Sequence, residues 1–155
     1  MFSTGPLGAS KPGMGSVGRI PHAEVWNYIK EQAMATKTAG FRGVVYDPRF
    51  FEVPARLLES EHKVRVIEFS QDASQMAPAC GMAYKMILDG TIVHDGDPDF
   101  QTHVQSAAKV PIERGGFVLK KGKSKGKIDA CIAMCMGVWV LHNLPKAVKP
   151  MFSWA

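Results

Sequence analysis

Asp129 stands at the mouth of the apolar stretch Ile128 to Leu141, just behind a lysine-rich segment, Lys120 to Lys127. A carboxylate that opens a buried helix beside clustered positive charge is the arrangement needed to hold a divalent cation against a phosphate backbone. Its partner in that reading is Asp47, the last residue of the β-like run Phe41 to Asp47, followed by Pro48. Hard oxygen ligands of this kind bind magnesium or manganese, which position water and stabilise a leaving oxygen. Each acid alone has a commoner use. An Asp before Pro often forms only a turn, and an Asp in a first helical turn often only complements the helix dipole. Their joint setting, strand tip plus helix start beside a basic loop, is what points to a metal site.

Lys120, Lys121, Lys123, Lys125 and Lys127 alternate with Gly122, Ser124 and Gly126. Their ammonium groups can follow a phosphate track, supplying affinity without reading bases; a solvated hairpin tip has the same composition. His94, Asp95, Asp97 and His103 fit no zinc spacing and have no cysteine pair beside them, so they read as a turn rich in capping residues. Asp95 or Asp97 remains available as a third carboxylate. There is no Walker-type loop, no GxGxxG after a strand and no GxSxG elbow, which leaves nucleotide hydrolysis and serine chemistry without support.

The elements that must position these residues follow from the pattern of 155 residues, of which 46% are hydrophobic, enough for one core. Pro21 to Thr38 has helical spacing at Val25, Ile29, Gln32/Ala33 and Thr36 and should lie on a sheet. Phe41 to Asp47 predicts a buried strand. Phe50 to Glu61 predicts a helix, starting around Glu52 or Val53 so that Pro54 is tolerated. Lys63 to Phe69 alternates as a second strand, and strand, helix, strand makes a parallel βαβ unit. Asp72 or Ser74 begins a helix to about Asp89, with Met76, Cys80, Ala83/Tyr84 and Ile87 on one face. Asp97 or Pro98 begins another to about Ala108, Gly116 to Lys121 is a short strand, and Ile128 to about Asn143 is the last helix.

Residues 1–20 read as a flexible Gly/Pro-rich leader, 21–143 as the folded domain and 144–155 as a tail. The leader lacks the continuous apolar core of a secretory signal. The apolar run Ala130 to Leu141 is shorter than the roughly 20 residues that span a bilayer. Cys80, Cys131 and Cys135 form no CxxC pair and behave as small hydrophobes, as suits a reducing compartment. A formal net charge of +5 favours a polyanionic partner.

Several segments occur in a telling order: Gly43-Val-Val-Tyr-Asp-Pro48, Val64-Arg-Val-Ile-Glu-Phe-Ser-Gln71, Met76-Ala-Pro78, Gly90-Thr-Ile-Val-His94, Asp97-Pro98 with His103, and Lys127-Ile-Asp-Ala-Cys-Ile-Ala133. Together they resemble the C-terminal nuclease domain of tailed-bacteriophage terminase large subunits, over roughly Pro21 to Asn143. The resemblance implies an α/β, ribonuclease-H-like fold. In it Asp47 and Asp129 would bind Mg2+ or Mn2+ and cut concatemeric, double-stranded viral DNA during packaging, in the host cytoplasm and away from any membrane. It also implies another aspartate on a first central strand and an ATPase segment. Upstream of Asp47 the only acids are Glu24 and Glu31, both within a predicted helix. The expectation is therefore an incomplete fold, its first strands missing. The ATPase segment or those strands would come from another chain, or else the chain is a non-catalytic piece that binds DNA or a partner and completes its sheet. A stand-alone resolvase using Asp95 or Asp97 is a third reading.

Overall fold

The computed structural model describes residues 22–35, 41–123 and 126–144. Its elements run α1 (His22–Ala35), β1 (Val44–Tyr46), α2 (Pro48–His62), β2 (Val66–Glu68), α3 (Ala73–Leu88), α4 (Pro98–Ser106), β3 (Ala107–Pro111), β4 (Phe117–Lys121) and α5 (Asp129–Asn143). The architecture is a small mixed α/β one. Among the described residues it holds two two-stranded sheets, parallel β1–β2 and antiparallel β3–β4.

The parallel pair exists because α2 carries the chain back over it. Leu58 is fully buried and Val64 nearly so, and Trp26, Ile29, Val44, Phe51 and Val66 pack around them. Entry into β1 depends on Gly43. Its φ is +142°, and a Cβ there would lie 2.6 Å from the carbonyl oxygen of Arg65, the same oxygen that accepts the Val44 N–H. Only glycine allows the two backbones to meet this closely.

The main core lies between α3 and α5. Met76, Ala79, Cys80 and Ala83 face Cys135, Met136 and Val140, with Phe69 closing one end and β4 packed alongside. All three cysteines are free and buried. Hydrogen bonding with Cys135 brings the Cys80 thiol down to about 7, while bonds with Cys131 and Cys80 push Cys135 up, so Cys135 keeps its proton. Tyr84 and Ile87, expected on the same face of α3 as Met76 and Cys80, are part-exposed, as is Leu57 on α2. The wide apolar stripe of these helices extends past the core into solvent.

Three boundaries differ from the sequence reading. β1 ends at Tyr46, and Asp47 is the N-cap of α2, which starts at Pro48 rather than near Glu52. Pro48 occupies the first turn, where a missing N–H costs nothing, and Pro54 is accommodated inside the helix. Asp72 stands at the N-cap of α3 but makes no capping bond there. α4 stops at Ser106, and 107–111 is a strand, because pairing with β4 outweighs the helical preference of Ala107 and Ala108. Thr36 to Gly40, the 1–20 leader and Pro145 onward lie outside the described residues. No helix among those described is long and apolar enough to cross a membrane.

Candidate metal centre

Asp47 occupies the turn between β1 and α2. Its Oδ1 accepts the N–H of Arg49 at 3.0 Å, so the carboxylate is held by the helix it caps. The next residues tie this corner to the end of β2. The Arg49 guanidinium reaches Asp72 Oδ1 at 2.5 Å, and the Ser70 hydroxyl donates to Asp72 Oδ2 at 2.7 Å. This is why Asp72 does not cap α3. The ion pair is solvent-exposed on both sides, so its energetic weight is small and its role is to set geometry.

Asp129 is the first residue of α5 and is exposed. Ile128 before it is buried, anchoring the start of the helix while leaving the carboxylate in solvent. Although far apart in the chain, Asp47 and Asp129 line one cleft of about 550 Å³, together with Tyr46, Phe51, Gln71 and Met136. α5 packs against β1, which is what draws the two acids to the same opening.

Lys120 lies in an adjoining cleft of about 230 Å³, and Gln71 and Ile132 form part of the wall of both. The basic end of β4 is thus the neighbour of the acid cleft. Lys121, Lys123 and Lys127 are exposed; Lys125 lies outside the described residues.

The fit to a divalent ion is partial. Two carboxylates from different elements suit a hydrated Mg2+ or Mn2+, which is bound by one or two carboxylates with water filling the other positions. Among the described residues no three His, Cys, Asp or Glu side chains gather as a metal site. The turn residues are otherwise engaged. His94 Nδ1 accepts the Gly96 N–H, Asp95 accepts that of Asp97, and Asp97 caps α4 by accepting the Phe100 N–H at 2.7 Å.

Two residues around the cleft escaped the sequence reading as contributors to it. Gln71, just past β2, lines both clefts, and its Nε2 makes a weak 3.8 Å contact with the sulfur of Met136. His103 accepts the Ala130 N–H at the start of α5. A glutamine alone in sequence carries no such signal; only its place in the wall of both clefts does.

Residues 17–143 match the model of the family described as terminase large subunit, endonuclease domain. The chain belongs to that family. Among solved structures, this terminase-family domain is similar to the crystal structure of the HK97 bacteriophage large terminase, with a TM-score of 0.63 and 22% identity. The match covers 73% of this chain and 24% of that one, so the chain spans about a quarter of the HK97 protein, and at this identity the likeness speaks for the fold. Comparison with curated proteins gives no match.

Proposed function

We propose that this chain carries the metal-dependent DNA-cutting centre of a phage terminase large subunit, on a ribonuclease-H-like fold, and acts on concatemeric double-stranded viral DNA during packaging. The single observation that supports it is the meeting of Asp47 and Asp129 in one cleft with a basic strand end beside it. Asp47, held by its own helix, and Asp129, at the positive end of α5, would hold Mg2+ or Mn2+. Bound there, the ion would supply an activated water and stabilisation of the leaving oxygen. Lys120, Lys121, Lys123, Lys125 and Lys127 would carry the DNA backbone toward the cleft as a sequence-independent track. A third acid, on a strand added to the parallel pair from an ATPase-bearing segment or another chain, would complete the donor set.

The test is plasmid cleavage with Mn2+. Where the wild type cuts, Asp129→Ala and Asp47→Ala should each lower the activity by about a thousandfold, since metal stabilisation is worth several kcal/mol; a wild type that does not cut without the added strand leaves the second reading below. Cutting that survives Asp129→Ala ends the assignment.

The two-acid count among the described residues favours a second reading, a non-catalytic terminase piece that binds DNA or a partner segment and completes its sheet. Binding would then weaken steeply with salt and need no divalent ion. Affinity indifferent to salt would argue against it.

A further inference from the structure

The start of α5 has no local cap. Ile128 occupies the N-cap position and offers no side-chain acceptor, so the first amides of the helix must find partners elsewhere. One partner comes from another element: His103 on α4 accepts the N–H of Ala130 through Nδ1 at 3.0 Å, in a half-buried contact. Accepting there requires the imidazole proton to sit on Nε2. Ala130 is the residue next to Asp129, so the histidine holds the peptide plane that carries the candidate ligand.

The same turn of α4 holds the other arm of the lysine segment. The Ser106 carbonyl accepts the Gly122 N–H at 2.7 Å, and a Cβ on Gly122 would come within 3.1 Å of that oxygen. Ser106 is buried, and α4 itself is capped by Asp97. One helical turn therefore grips the chain where it leaves β4 and where it enters α5.

We propose that His103 is a positioning residue for the acid cleft, setting the first turn of α5, and with it Asp129, in register with the basic end of β4. This rests on the reading of Asp129 as a metal ligand. His103 touches neither metal nor DNA; it acts through the Ala130 amide. Removing such a supporting hydrogen bond typically weakens metal binding by 10- to 100-fold, roughly, without removing a ligand.

The experiment uses the full chain with His103→Leu, which fills the space without an acceptor, and His103→Asn, whose Oδ1 takes the place of Nδ1. Mn2+ affinity is measured by calorimetry, and exchange of the Ala130 amide by NMR. His103→Leu should exchange at Ala130 about fivefold faster, the equivalent of one modest hydrogen bond, and bind Mn2+ about tenfold more weakly. His103→Asn should restore both. If the leucine variant does not fold, His103→Gln replaces it, since its acceptor lies one methylene farther out and should fail where Asn succeeds. Faster exchange with unchanged Mn2+ affinity would reduce His103 to a helix cap and overturn the proposal, as would Asn performing no better than Leu or Gln. Collapse of the nuclease reading looks different: Asp129→Ala would bind Mn2+ as wild type does while the Ala130 exchange pattern stays intact, removing the metal site and the positioning role together.

Discussion

β1 and β2 pair over three residues each, Val44↔Val66 to Tyr46↔Glu68, between segments joined by a whole helix. β3 and β4 pair over five, Ala107↔Lys121 to Pro111↔Phe117, across a short turn in which Gly115 and Gly116 both take positive φ. The parallel ladder is too short to hold itself together and stands on tertiary packing around Leu58 and Val64. The hairpin is local, and its register is set by the turn. The first sheet delivers an acid to the cleft and the second delivers lysines to its edge. The carboxylate side is therefore sensitive to the core, while the basic side can be stripped of charge with little structural consequence.

Leu58→Ala should expose that dependence most strongly. The side chain is fully buried between α2 and the parallel pair, and truncation there is expected to cost about 3 kcal/mol, within the usual range of about 2–5 for buried leucine. Urea unfolding measures it. A loss below about 1 kcal/mol, less than a collapsible site gives, would mean that the packing around β1 does not hold the strand in place.

Alanine at Lys120, Lys121, Lys123 and Lys127 together should do the opposite. These side chains are exposed, so stability should stay within about 0.5 kcal/mol of wild type. The slope of log affinity for DNA against log salt should shrink by about 2 to 4, close to one for each phosphate that no longer meets an ammonium group. An unchanged slope would show that the hairpin's charge is merely solvated and that the basic surface lies elsewhere.

These contrasts also explain how far the sequence could be read. The parallel βαβ unit was legible because Val44 to Tyr46 and Val66 to Glu68 are short β-branched runs bracketing an amphipathic segment, and α5 because its apolar stretch begins at a charge and stops before a proline. β3 was not legible. Ala107, Ala108 and Lys109 carry no strand preference of their own, and only the partner Phe117–Lys121 makes them one. The start of α2 was misjudged because Pro54 suggested a late beginning, whereas Asp47-Pro48 is itself a cap followed by a first-turn proline. Asp47 and Asp129 could be placed in advance at a strand end and a helix start, and the cleft they share follows from the packing of α5 on β1. His103 could only be noticed as one of several polar residues in a row, since its partner, a backbone amide, leaves no mark on the side-chain sequence.

The smallest effect probes how well shielded the parallel pair is. Tyr46 ends β1 beside Asp47, and burial, with Glu68 and Glu52 adding negative charge nearby, raises its phenol above the ordinary value of 10. A phenol that is harder to ionise in the folded chain keeps its proton after the unfolded chain has lost it. The folded state then binds more protons above pH 10, so the sign is fixed: this contribution is fully present below the unfolded pKa and is lost as pH rises through the folded one. Tyr46→Phe cannot ionise, so as pH rises above 10 its stability should fall less steeply than that of wild type, while at pH 7 the two should stay close. Parallel slopes would mean that Tyr46 ionises as freely as it does in the unfolded chain, and the strand that leads into Asp47 would then be as open to solvent as the lysine-bearing hairpin.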